Sequence, residues 1–169
     1  MNTKFARLAI SAVSGAFLLC GVAAAAEEGA VDWNALKGAK LSLNKGIDAA
    51  QQKGKPISAK YEMEHGKLQL SVYTAAKGKY SEVIVDHKSG KISESKEIKE
   101  GEDLSHATAQ EKAMAKAKRS LRAATDNAVA SNKGYRAVSA MPALENDKPV
   151  ATILLENASG TKSVTEKLD

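Results

Sequence analysis

His65, His87 and His106 are the side chains best able to hold a metal ion or pass a proton, and their spacing suits neither task. No two stand four apart, as on one helix face, or two apart, as on one strand face, and the only cysteine is Cys20. A metal site needs several such ligands converging, so these histidines read as exposed residues at turns and at a helix approach. Asp86 opens a loop with a glycine, but Lys88 and Gly90 stand where a calcium loop needs oxygen ligands. No serine sits in a Gly-x-Ser-x-Gly turn, and the adjacent Ser105-His106 lacks a third convergent group. No glycine-rich phosphate loop follows a strand pattern. Glu62 and Glu64 share the polar face of an alternating segment, and a solvated face explains them. Asn157-Ala158-Ser159 matches a glycosylation tripeptide, a pattern common by chance. The sequence therefore predicts a protein that is not an enzyme and holds no cofactor or metal.

Binding is the remaining chemistry. Lys112, Lys116, Lys118, Arg119 and Arg122 fall on one side of a continuous helix stepped at about 100° per residue. Such a stripe could meet an anionic lipid, an acidic protein or nucleic acid. Glu111 and Asp126 dilute it, and aromatic residues are only 4% of the chain, too few for the stacking that single-strand nucleic-acid binders use. Nucleic acid is thus not an expected partner. A solvated face is the simpler reading, with Lys112, Lys116, Arg119 and Arg122 as the alternative binding surface. Tyr73 and Tyr80, on segments patterned as strands, are the candidate anchors for a protein partner, since tyrosine is enriched at interfaces. Covering a sheet face would use them equally well.

The elements that must position these residues begin after a leader. The chain has 169 residues, 25 basic and 20 acidic, for a net charge of +5. Lys4 and Arg7 precede an apolar run from Leu8 to Val22, and Ala24-x-Ala26 supplies the small residues of a cleavage site. Residues 1–26 therefore read as a secretory signal peptide, with an uncleaved anchor and a lipoprotein on Cys20 as rivals. Cleavage removes two basic residues, both phenylalanines and Cys20, leaving +3, no thiol and no stable membrane span. The expected location is periplasmic or secreted.

After an N-terminal segment, 27–40, the chain reads as one unit used twice. Gly54, Lys67, Gly78 and Asp86 are matched by Gly134, Lys148, Gly160 and Asp169 at spacings drifting from 80 to 83. In residues 41–98, Ser42 caps a helix carrying Leu43, Ile47 and Ala50 on one face, and Gly54 stops it. Period-two segments follow at 57–64, 68–73 and 80–85, with a polar, edge-like strand at 91–98. Residues 99–103 are charged and without an apolar pattern, and read as a linker. In residues 104–169, Thr108-Ala109-Gln110-Glu111 reads as a capping box opening one long helix. Its apolar stripe is Met114, Ala117, Leu121, Ala124 and Ala128; Gly134 stops it, and strands follow at 135–144, 149–156 and 161–168. The fold class expected is α+β: two repeats, each a helix on a three- to four-stranded antiparallel meander. A single domain sharing one core is the alternative.

These residues carry a resemblance. The helix ending in Gly54-Lys55-Pro56-Ile57, the strand spacing, and the close at Tyr80-Ser81-Glu82-Val83-Ile84-Val85-Asp86-His87-Lys88-Ser89-Gly90-Lys91-Ile92 resemble a PepSY domain. Residues 104–169 resemble a second, degenerate copy that stops at Asp169. The resemblance implies an exported, non-catalytic module with a beta-lactamase-inhibitor-like shape. Its implied work is binding an unidentified secreted or envelope protein, with inhibition or modulation of a peptidase as the expected effect. A periplasmic module for a small ligand or ion is the alternative.

Overall fold

The computed structural model describes Val31 and residues 33–169; the expected signal peptide lies outside the described residues. Among these, four α-helices and seven strands form an α+β fold. The helices are α1 (Trp33–Leu36), α2 (Leu43–Ala50), α3 (Gly101–Lys116) and α4 (Leu121–Ser131). The strands are β1 (Lys55–Glu64), β2 (Lys67–Ala76), β3 (Lys79–Val85), β4 (Ile92–Ile98), β5 (Arg136–Glu145), β6 (Lys148–Asn157) and β7 (Gly160–Lys167). All seven join one sheet in the order β4-β3-β2-β1-β5-β6-β7, with every pairing antiparallel. The first strand of each meander meets the other at the centre, Ala59 opposite Ala140.

Strand alternation sorts the side chains onto two faces. One face carries Ala59, Tyr61, Leu70, Val72, Val83, Val85, Ala140, Ile153 and Leu155, all buried. Helices α2 and α4 lie side by side on it. Gly46 lets α2 sit close, because a Cβ there would come within 2.5 Å of Leu70 Cδ2. Leu43, Ile47 and Ala50 of α2 and Leu121, Ala124 and Ala128 of α4 complete one continuous core. Asn44 Nδ2 of α2 donates to Asp126 Oδ1 of α4 at 2.5 Å.

The opposite face is polar and carries α3. Ser58 Oγ donates to Gln110 Oε1 at 2.6 Å, and Tyr80 donates to Glu111 Oε2 at 2.5 Å. Gln110 Nε2 also donates to Met141 Sδ of β5 at 3.7 Å, so α3 reaches across strands of both meanders. Its burial is slight: Ala107, Ala113 and Met114 are its buried residues.

Three expectations fail here. The single long helix is two. At Ala117 the backbone is extended (ψ 135°), and the N–H groups of Lys118 and Arg119 both donate to the Leu168 carbonyl, at 2.7 and 2.9 Å. Ser120 then caps α4, its side chain accepting from Ala123 N. The stripe Met114–Leu121–Ala128 is accordingly split, Met114 in α3 and Leu121 and Ala128 in α4. Thr108 is no cap: it lies inside α3 and its hydroxyl donates to the Leu104 carbonyl at 2.7 Å. Nor are 99–103 a linker throughout, since Gly101–Asp103 form the first turn of α3, where Glu102 and Asp103 suit the positive end of the helix dipole.

Candidate functional site

The structure draws Tyr80 away from any partner. It is buried beneath α3, and its hydroxyl is taken by Glu111. Tyr73 lies on the same face, half-buried, opposite Glu82. Lys60 Nζ stands 5.8 Å from its ring centroid and 2.5 Å from Glu62. Ser71 donates to Glu62 at 2.6 Å, and Gln69 donates to Ser71 at 3.0 Å. Burial first, then Glu82, Glu62 and Asp103, holds the Tyr73 hydroxyl well above its ordinary range. Tyr73 is thus one member of an internal polar layer. Tyr61, on the apolar face, is pushed up to about 12, mainly by burial.

Glu82 belongs to that layer, and burial raises its carboxyl above the usual range against a Ser71 hydrogen bond that lowers it. A carboxyl raised in the folded state opposes folding once ionised. That penalty is absent below its ordinary pKa and grows as pH rises through the folded value. Glu82→Gln should therefore raise the thermal midpoint at neutral pH and leave it unchanged in acid, as read by circular dichroism.

The histidines stay apart. His65 is exposed in the β1–β2 turn, 3.2 Å from Glu64, and His106 is exposed on α3. The His87 carbonyl accepts from Lys40 N and Leu41 N, both at 3.0 Å. No cluster of metal-ligating side chains exists among the described residues. Asp86 holds its own turn, Oδ1 accepting from Lys88 N and Ser89 N at 2.9 and 2.7 Å, and these bonds lower its pKa. Ser105 donates to the Gly101 carbonyl within α3.

The basic stripe is dispersed. Lys112 and Lys116 ride on α3, where Lys116 pairs with Asp147 of the β5–β6 turn. Arg119 lies in the break between helices; its Nη1 donates to the Lys167 carbonyl at 2.9 Å and stands 3.5 Å from Glu166. Arg122 opens α4, with Asp48 at 3.5 Å and Asp126 at 3.7 Å. Breaking the helix brings Arg119 and Arg122 to a cleft that no continuous helix would make. The cleft has a volume of about 640 Å³ and lies between the end of α2, the start of β1 and the α3–α4 junction. Gly54, Lys55, Lys118, Arg119, Ser120 and Arg122 are among its lining residues. Lys55, whose ammonium donates to the Met114 carbonyl at 3.0 Å, was not singled out from the sequence.

A second feature is the sheet edge. Five of the seven residues of β4 are exposed, and only its end residues, Ile92 and Ile98, are half-buried. Among the described residues, no strand pairs with its outer side. The chain matches no family model, no curated protein and no solved structure. Among the described residues, no helix is long and apolar enough to cross a membrane.

Proposed function

We propose that this chain is an exported, non-catalytic PepSY-like protein of two like units that binds another secreted or envelope protein, with a peptidase as the partner class and inhibition or modulation as the effect. The observation that carries the binding reading is β4. An edge strand exposed on both faces offers a row of unpaired N–H and C=O groups to an extended segment of a partner. Glu94, Lys96 and Glu97 keep this edge from pairing indiscriminately while leaving its backbone free.

Internal correspondences support the two-unit part of the reading. Ser42-Leu43 and Ser120-Leu121 open α2 and α4 in the same way, each serine accepting from the N–H three residues on, at an offset of 78. From the first strand onward the offset is a constant 81. It relates the bulges at Ile57 and Val138, the turns at His65-Gly66 and Asn146-Asp147, and the carbonyls of His87 and Leu168, each of which accepts two successive N–H groups. On this register Gly78 corresponds to Ser159, so the expected pairing of Gly78 with Gly160 and of Asp86 with Asp169 does not hold. Ala59 and Ala140 are counterparts that face each other, as residues do on the axis of an isologous pair.

A pair of proline substitutions tests the binding surface. Successive residues of an antiparallel strand direct their N–H groups to opposite sides, so of Ser95 and Lys96 one donates toward β3 and the other outward. The variant of Ser95→Pro and Lys96→Pro that keeps the parent midpoint is the outward one. It should lose capture of the envelope partner; retained capture would sink the edge reading.

A further inference from the structure

We infer that the cleft at the α3–α4 junction binds a phosphoryl group carried by a small organic molecule or a lipid. The argument starts from the equivalent place in the other half. There Arg136 fills the cradle: its guanidinium donates to the carbonyls of Leu36 at 2.9 Å, Ala39 at 3.2 Å and Leu41 at 2.8 Å. The counterpart of Arg136 is Lys55, whose single ammonium reaches only the Met114 carbonyl. One cradle is plugged, and its twin is open by about 640 Å³.

The residues around the open cradle change in one direction. Where the filled half has Leu41 and Asn44, the open half has Arg119 and Arg122, and Lys118 stands in the place of Lys40. With Lys55, four cations line the cleft and no carboxylate does. The carboxylates paired with the arginines, Asp48, Asp126 and Glu166, stand 3.5 to 3.7 Å away and do not line the cleft. The arginines are partly exposed, with side-chain exposures of 38% and 49%, so these pairs are weak and leave guanidinium N–H groups free for a ligand. Two arginine forks suit a multiply charged tetrahedral oxyanion. The cleft is larger than phosphate alone needs, and Pro56 and Met114 give it an apolar side, so the phosphoryl group comes on an organic carrier.

Titration calorimetry on the mature protein at low salt tests this, with pyrophosphate and citrate as soluble probes. Phosphatidylglycerol and phosphatidylcholine vesicles test the lipid source. Pyrophosphate should bind, and Arg119→Gln or Arg122→Gln should each weaken it about tenfold or more, the loss expected for a charge-assisted hydrogen bond. Lys112→Gln, outside the cleft, should bind as the parent does. Circular dichroism of each variant checks that the fold is kept. Pyrophosphate without vesicle binding assigns a soluble phosphate ester. Binding to phosphatidylglycerol vesicles alone, lost in the arginine variants, assigns a lipid headgroup. The inference is overturned if neither probe binds, if citrate binds more tightly than pyrophosphate, or if the arginine variants bind as tightly as the parent.

Discussion

Unfolded by urea, residues 27–169 should lose both meanders in one transition, with Trp33 fluorescence and far-ultraviolet circular dichroism superimposing. Trp33 is the only tryptophan and packs against the core from α1, so it reports the first half while circular dichroism reports the whole. The ties between halves are numerous. Helix α3 hydrogen-bonds Ser58 and Tyr80 on one side and pairs Lys116 with Asp147 on the other. Arg136 is bonded to three carbonyls before α2, and Lys55 to the last turn of α3. Asn44 and Asp48 of α2 meet Asp126 and Arg122 of α4. The β1–β5 ladder joins the two meanders into one sheet, and the core beneath is continuous. A chain of residues 27–100 would lose all of these and bare the β1 edge, so it should not fold as a stable monomer. Two resolved transitions, or a folded monomeric fragment, would mean that the halves stand on their own cores. Cooperative all-or-none unfolding is what a chain of this size with one shared core does.

Leu43→Ala and Leu121→Ala should each destabilise the protein by about 2–5 kcal/mol, the range for a buried leucine whose cavity the surroundings cannot fill. Both side chains are essentially inaccessible, at 1% and 2% exposure, and each is the first helical residue after a capping serine. They root α2 and α4 on the same sheet face. Ten of the 27 buried residues of this core are alanine, too short to swing into a void. Lys116→Ala, exposed and paired only with Asp147, should change stability by less than about 0.5 kcal/mol. Denaturant midpoints of the three variants check the contrast; a small effect at Leu121 with a large one at Leu43 would show that the two helices are not equivalent supports.

The strands were readable because their alternation is a local property. Ala59, Tyr61, Leu70 and Val72 are buried where period two puts them, and the polar edge strand is present. The helical region between them misled for a physical reason. Met114, Ala117, Leu121, Ala124 and Ala128 keep a helical period across a break made by the Leu168 carbonyl, which is distant in sequence. The local signal was there in another form, since Ser120-Leu121 with Asp126 and Ala128 repeats Ser42-Leu43 with Asp48 and Ala50. That match places a helix start at residue 121. Tyr80 could not be assigned from strand pattern alone, because what covers it is α3, a helix whose contact face is mostly polar and alanine. The cleft was likewise hidden. Its cations come from separate elements, Lys55 at the start of β1 and Lys118, Arg119 and Arg122 at the α3–α4 junction.

The most direct test of the account is to place a photo-crosslinking amino acid at Ser95, in the middle of the exposed β4 edge, and a second at Lys133, an exposed position after α4. Each variant is illuminated in an envelope extract, and the adducts are mapped by mass spectrometry. The account predicts a discrete protein adduct from position 95, with the crosslinked partner residue in an extended segment of an exported protein, and none from position 133. Adducts at position 133 with none at 95, or no protein adduct at 95 while the purified chain still captures its partner, would contradict the edge as the binding surface.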